Sequence, residues 1–204
     1  MDICPVVSSR LKASVKAACP TLVLASQSPN RRRLLEDCGV LVLARPQDID
    51  EMCGLTEPAA VVQTLSRQKM NSYLGSSDFD PALPAVAVDT LVCLDGKLLG
   101  KPEDEADAAK MIGLLSGRTH EVLSGLCVYN HASGNVTEVF DISLVRFHVL
   151  SDDEIAWYIS TGDPMGAAGA YKIQSNGYRL IESISGSFSN IIGLPLEKLV
   201  EILG

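Results

Sequence analysis

The 204-residue sequence lacks long apolar runs, an excess of positive charge and paired cysteine motifs. No stretch approaches the roughly 18 continuous apolar residues of a membrane helix, so we expect a soluble protein without a membrane-spanning part. The formal net charge is -8. Because an acidic surface repels nucleic acid and anionic membranes, we expect neither as a partner.

The cysteines and histidines are scattered through the chain. The six cysteines form no Cys-x-x-Cys motif, and the three histidines lack metal-ligand spacing. This pattern favours reduced thiols in an intracellular, cytoplasmic protein. Residues 1–20 carry three basic side chains among Ser and Ala, but Asp2 and the short length argue against a transit segment. We interpret residues 1–20 as a flexible N-terminal extension.

The first periodic segment predicts a strand, a tight turn and a helix. Residues 21–25, "TLVLA", form a short apolar run typical of a buried strand. Ser28 followed by Pro29 is typical of a helix start, because serine accepts from free amides and proline fits the first turn. We expect this helix to run to Cys38 and to end at Gly39.

The remaining pattern predicts alternating helices and strands. In chain order these are a helix from Thr56 and Pro58 to about Leu74, a strand and an Asp95–Gly96 hairpin within 85–100, a helix ending near Leu115, strands at 121–129 and 136–149, a helix from Ser151 to about Thr161, and a final helix at 196–203. This order predicts one α/β domain, with a mixed β-sheet flanked by helices and a cleft where the strands diverge.

Three consecutive arginines, Arg31 to Arg33, follow the predicted helix start. A helix N-terminus offers free N–H groups and partial positive charge, and arginine donates paired hydrogen bonds to phosphate oxygens. The segment therefore favours phosphate binding. A solvated basic helix face explains the arginines equally well, and Ser26 and Ser28 can serve as helix caps alone.

Asp89 interrupts the apolar run "AVAVDTLVCL". A carboxylate is costly to bury unless it meets a cation, a metal or hydrogen-bond donors, so we favour a functional Asp89 over a strand-end carboxylate in water. Lys101 lies between a turn glycine and a rigid proline, which fix the direction of its ammonium. Taken alone, Lys69 is a surface lysine and Gln174 an edge-strand amide.

Seven sequence blocks occur in the order and approximate spacing of the Maf family, from about Thr21 to the C-terminus. They are "LASQSPNRRRLL", "DIDE", "LSRQK", "VAVDTLVCLDGKLLGKP", "LLSGRTHEV", "GAYKIQ" and "GSFSNIIGLP". The chain resembles a Maf-type nucleoside triphosphate pyrophosphatase. Asp89-Thr90 and "GAYKIQ" are similar to the branch that acts on dTTP, UTP and related or modified pyrimidine nucleotides. The resemblance implies an elongated, two-lobed fold like that of inosine triphosphatase-type enzymes, with one catalytic domain over 21–204 and often a homodimer.

The resemblance also implies a house-cleaning reaction, in which water and a nucleoside triphosphate give the monophosphate and pyrophosphate with Mg²⁺ or Mn²⁺. Arg31, Lys69 and Lys101 would hold the triphosphate and neutralise charge on the leaving pyrophosphate. Asp89 would orient or deprotonate the attacking water. Asp89 and Glu51 would hold the metal through oxygen ligands.

Two further positions of the resemblance, Ser26 and Gln174, would bind and position the substrate. One position departs from the family, because Asn30 stands where Ser-Pro-Arg-Arg would place the first arginine. We expect Arg32 or Arg33 to supply the missing contact from the next turn. The base itself is not assigned, since no aromatic stacking residue is identifiable.

Two other functions compete with this interpretation. One is a non-catalytic, nucleotide-sensing regulator of cell division and septum formation, although Asp89 together with three cations argues against an inactive protein. The other is a purine-specific enzyme of the inosine triphosphatase type, which the seven Maf blocks disfavour.

Overall fold

The computed structural model describes residues 7–49 and 53–204. The helices of this part of the chain are α1 (Ser9–Ala18), α2 (Pro29–Glu36), α3 (Pro58–Leu74), α4 (Glu105–Leu115), α5 (Asp152–Ser160), α6 (Phe188–Ile192) and α7 (Leu196–Leu203). The strands are β1 (Thr21–Leu24), β2 (Leu41–Ala44), β3 (Ala85–Leu94), β4 (Lys97–Leu99), β5 (Thr119–Asn130), β6 (Asn135–Phe147) and β7 (Ile181–Ser185). Two short 3-10 turns cover Ala168–Ala170 and Asn176–Leu180.

The strands form one mixed sheet in the order β2-β1-β3-β5-β6-β7, with β4 beside β3. Strand β1 is parallel to β2 and β3, whereas β4, β5, β6 and β7 are added by antiparallel pairing. The structure thus confirms the predicted α/β class and the mixed sheet flanked by helices.

Strand β3 is buried on both faces at its N-terminal end. Val86 and Val88 belong to a core cluster with side chains of α2 and α7. Ala85 and Ala87 point the other way and pack in a cluster with Met70 of α3. The alternation of a strand therefore places neighbouring β3 residues on opposite sides of the sheet.

A separate core cluster lies at the other end of the molecule. It joins α4 and α5 to the sheet through buried residues that include Val92, Ile112, Phe147 and Tyr158. The protein therefore packs one group of helices at the β1 end of β3 and another at the β4 end.

Several predicted helix starts and turns are confirmed. Ser28 is the N-cap of α2 and accepts from the Arg31 backbone N–H at 3.4 Å. Ser151 and Glu154 form the predicted capping box of α5. The Asp95–Gly96 hairpin joins β3 and β4. The N-cap of α3 is Glu57 rather than Thr56, because the Glu57 carboxylate accepts from two first-turn amides.

Three features differ from the sequence-based expectation. Residues 9–18 of the expected flexible extension form α1, because Val15 is buried in the core cluster shared with α7. Strand β2 was not predicted, and it extends the sheet beside β1. Gln174 lies in an irregular turn rather than on an edge strand.

Among the residues that the structure describes, no helix is long and apolar enough to cross a membrane.

Candidate active site

The candidate site lies at an interruption in the edge of β3. Strand β1 pairs with β3 only as far as Val86, and β4 joins the same strand from Val92 onward. Within the described part of the chain, residues 87–91 therefore have no strand partner on this side. The sheet changes from parallel to antiparallel pairing here, which is where α/β folds commonly form binding crevices.

Arg31 occupies this interruption from the first turn of α2. Its Nε donates to the Gly193 carbonyl at 2.8 Å, and its Nη2 donates to Thr90 Oγ1 at 2.9 Å. Its Nη1 donates to Ser26 Oγ at 2.8 Å and to the Val88 carbonyl at 2.9 Å. These four partners are uncharged carbonyl and hydroxyl oxygens. The guanidinium thus joins the end of β1, the edge of β3 and the end of α6.

Ser26 is buried directly after β1. Its Oγ accepts from Arg31 Nη1 and, at 3.2 Å, from the Ser28 backbone N–H. Two donors therefore occupy the lone pairs of this oxygen, which leaves the Ser26 hydroxyl proton to donate to a ligand. Arg31 and the α2 start determine the direction of that proton.

Asp89 and Lys69 form a buried ion pair on the opposite face of β3 from Thr90. Lys69 Nζ lies 2.6 Å from Asp89 Oδ1, and the two residues are only 8% and 7% exposed. A buried pair of this kind is costly to desolvate, so it is weak evidence for stability and more typical of a functional site. The cation that Asp89 needs is supplied by α3, on which Lys69 lies.

The other predicted site residues lie apart from these contacts. Lys101 is exposed in the loop after β4 and makes no hydrogen bond or ion pair with any described residue. A main-chain bond from Gly169 to Gly100 brings this loop beside the turn segment that leads to Gln174.

Arg32 points outward and pairs with Glu36 at 2.8 Å, so α2 directs Arg31 inward and Arg32 away. Glu51 lies outside the described residues.

The thiols near the sheet are unsuited to nucleophilic catalysis. Burial raises the pKa of Cys127 to about 12 and that of Cys19 to about 11. The thiolate is the nucleophilic form, so these cysteines are inert near neutral pH. All five described cysteines are free, and four of them are buried.

A divalent metal fits Asp89 only with ligands from elsewhere. The described residues contain no cluster of three or more His, Cys, Asp or Glu side chains that could hold a metal ion. Asp89 nevertheless offers a carboxylate at the site, and Mg²⁺ is commonly held by one or two carboxylates together with substrate phosphates. The donor chemistry therefore suits Mg²⁺ or Mn²⁺ bound jointly with a phosphate ligand.

The mixed α/β sheet places an arginine, a hydroxyl and a lysine-paired carboxylate at a strand interruption, and donors of this kind suit phosphate oxygens. The profile of the Maf-like protein family matches residues 21–204. The chain belongs to the Maf family.

Curated relatives share most of the chain. It is 43% identical over 186 residues to a dTTP/UTP pyrophosphatase of Anaeromyxobacter sp. (strain Fw109-5), covering 89% of this chain and 87% of that protein. It is 45% identical over 186 residues to the dTTP/UTP pyrophosphatase of Methylobacillus flagellatus, covering 89% of this chain and 90% of that protein. A third protein of that name, from Bacillus pumilus, is 40% identical over 184 residues, covering 89% and 94%.

Sequence reasoning missed part of the arginine environment. In the sequence, Thr90 serves only as a marker of the pyrimidine branch, yet in the structure its hydroxyl accepts from Arg31. The carbonyl groups of Val88 and Gly193 carry no side-chain signal at all. The block "GSFSNIIGLP", which contains Gly193, was the only available indication of a role for that segment.

Proposed function

We propose that this protein is a nucleoside triphosphate pyrophosphatase that hydrolyses dTTP, UTP or related pyrimidine nucleotides to the monophosphate and pyrophosphate. The buried Lys69–Asp89 pair carries the proposal, because Asp89 lies in β3 between Val88 and Thr90, the two residues of that strand that accept from Arg31. It is supported by about 40% identity to dTTP/UTP pyrophosphatases over nearly nine-tenths of the chain.

The phosphate end of the substrate is proposed to bind at the start of α2. The α2 N-terminus offers partial positive charge, and the Ser26 hydroxyl donates from the adjacent turn. Arg31 holds this arrangement and adds positive charge, since four of its N–H groups bind protein atoms. The exposed Lys101 is free to turn toward the leaving pyrophosphate, with Gln174 as a positioning side chain.

Asp89 is proposed to orient the attacking water and to accept its proton. Lys69 fixes Asp89 through Oδ1, and Oδ2 makes no hydrogen bond with any other described residue. The water oxygen forms a bond to the α-phosphorus, and the bond from that phosphorus to the bridging oxygen breaks. Lys69 and Lys101 neutralise the negative charge on the departing pyrophosphate.

Mg²⁺ or Mn²⁺ would be held by Asp89 and Glu51 and would supply further charge neutralisation on the phosphates. We also propose that the enzyme works in the cytoplasm, where its free thiols stay reduced, and that it acts as a homodimer in nucleotide-pool house-cleaning.

A panel of nucleoside triphosphates with separate pyrophosphate and orthophosphate readouts tests the proposal. With Mg²⁺ or Mn²⁺, we expect pyrophosphate and monophosphate from dTTP and UTP, and little turnover of ATP or GTP. Orthophosphate as the first product would contradict cleavage at the α-phosphorus. Saturable dTTP binding without turnover would instead support the nucleotide-sensing regulator.

A further inference from the structure

A chain of buried polar side chains runs behind Arg31, and the proposed reaction does not use it. Ser124, Ser143 and Asn190 are each fully buried, and none of them carries a charge. Buried polar groups are costly unless they are hydrogen-bonded, so this set is explained only by what its bonds hold in place.

Asn190 anchors the short helix α6 to the sheet. Its Nδ2 donates to the Val122 carbonyl of β5 at 2.9 Å and to Ser143 Oγ of β6 at 2.9 Å. Ser143 Oγ in turn donates to the Ser187 carbonyl, at the N-cap of α6, at 3.0 Å. These bonds fix the depth and rotation of α6, whose C-cap is Gly193.

Ser124 connects α6 to the arginine. Its Oγ donates to the Asn190 carbonyl at 3.4 Å and lies 2.9 Å from Thr90 Oγ1. A serine hydroxyl has one proton, so donation to Asn190 makes Thr90 the donor between the two hydroxyls. The Thr90 oxygen then keeps a lone pair for Arg31 Nη2.

The position of Gly193 completes the chain. Its φ of 115° lies in the left-handed region, and its carbonyl accepts from Arg31 Nε at 2.8 Å. Thr90 Oγ1 also lies 3.3 Å from this carbonyl. Without the Ser124 hydroxyl, Thr90 would lose one hydrogen-bond partner and would turn its proton to the Gly193 carbonyl, which changes the orientation of the lone pair that accepts from Arg31.

We propose that Ser124 and Asn190 are positioning residues for Arg31. They hold the Thr90 hydroxyl and the Gly193 carbonyl in the orientation that aims the guanidinium at Ser26. Their effect on catalysis rests on the proposed function, but their effect on Arg31 does not.

The activity test is a double-mutant cycle between Ser124→Ala and Arg31→Ala. We expect Ser124→Ala alone to lower kcat/KM for dTTP by roughly tenfold, the effect of one lost bond to a charged network. In the Arg31→Ala background it should change kcat/KM by less than about twofold, because coupled residues are not additive. Ser66→Ala is the matched control, since Ser66 is equally buried but, among the residues that the structure describes, bonds through its side chain only to Gln63 of its own helix.

A second measurement does not depend on turnover. The NMR signal of the Arg31 Nε–H is assigned by its loss in Arg31→Lys. In the wild type, we expect this proton to exchange slowly with water. We expect its exchange to accelerate severalfold in Ser124→Ala, and more in Asn190→Asp, which removes two donors while keeping the shape. Ser66→Ala should leave it unchanged.

The outcomes separate the two proposals. Unchanged Arg31 exchange in Ser124→Ala would overturn the positioning role, as would a full tenfold loss of kcat/KM in both backgrounds. If the wild type does not cleave dTTP but exchange accelerates as expected, the proposed function fails and the positioning role stands. If Asn190→Asp does not fold, the kinetics and the Arg31 exchange rate of Ser124→Ala test the positioning role on their own.

Discussion

Arg31 Nε donates to the carbonyl oxygen of Gly193 at 2.8 Å, although 162 positions separate the two residues in the chain. The φ of Gly193 is 115°, a backbone conformation that favours glycine, so the absence of a side chain permits the orientation of this carbonyl. Arg31, which the sequence predicts to bind phosphate, therefore also links the N-terminal part of the domain to its C-terminal part.

Replacing Arg31 should have a far larger effect than replacing its neighbour. Arg31→Ala removes at least four hydrogen bonds, so we expect kcat/KM for dTTP to fall at least tenfold and the melting temperature to fall as well. Arg32→Ala loses only an exposed i,i+4 pair with Glu36, which is worth about 0.5 kcal/mol or less. Steady-state kinetics and thermal melting of both variants check this.

Arg31→Lys distinguishes charge from geometry. A lysine keeps the positive charge but cannot reproduce the planar set of donors, so we expect it to recover little of the lost activity. Equal losses in the Arg31 and Arg32 variants would show that the inward orientation of Arg31 has no catalytic importance.

Asp89→Asn should abolish turnover. The amide keeps the shape but cannot accept the proton of the water, and general base catalysis is typically worth about a hundredfold to ten-thousandfold. Stabilisation of the variant by dTTP in melting curves should persist, because Arg31 and the start of α2 are unaffected. A folded variant that binds dTTP and turns it over at near the wild-type rate would remove Asp89 from the mechanism.

The same variant should be less stable than the wild type. Lys69 loses the charged partner of this ion pair, at a cost of about 3 kcal/mol in the free energy of unfolding. Adding Lys69→Met should recover part of this loss without restoring activity, because it removes the buried charge that Asp89 no longer balances. Urea unfolding of the single and double variants measures both changes.

His120 should make the protein less stable as the pH falls. The side chain is buried against Tyr171, and burial lowers its pKa from 6.5 to about 4. Between these values the unfolded chain takes up a proton that the folded protein does not. The free energy of unfolding should therefore be highest above pH 6.5 and fall by up to about 3 kcal/mol toward pH 4.

Urea unfolding between pH 7 and pH 4 tests the histidine. His120→Gln keeps a polar group near Tyr171 but does not titrate, so its pH dependence should be shallower. His148→Gln is the control, because His148 is exposed. Parallel pH profiles for the wild type and His120→Gln would exclude His120 as the source of the effect.

Asn30→Arg should keep or raise activity. Asn30 is half-buried in the first turn of α2, beside Arg31, where a further guanidinium can donate to the phosphate of a bound substrate. We expect a lower KM for dTTP with the same kcat. A loss of activity would show that Asn30 has a role of its own, and comparing dTTP with UTP would reveal whether that role concerns the base.

Local sequence determined much of the fold. The Ser28-Pro29 start of α2, the Asp95–Gly96 hairpin and the Ser151 capping box were predictable because their hydrogen bonds close within a few residues. Asp89 was also predictable from its neighbours, because apolar residues on both sides of it in the sequence indicate that its carboxylate is buried. The Maf blocks then indicated the family and its reaction.

Tertiary structure decided what those residues touch. The pairing of Lys69 with Asp89 depends on how α3 crosses the sheet, and the partners of Arg31 include two main-chain carbonyls that no side-chain pattern reveals. Helix α1 and the four-residue strand β2 were missed because packing against α7 and pairing with β1 stabilise them more than their own sequences do. Local chemistry selects turns and caps, whereas contacts across many positions exist only once the whole sheet has assembled.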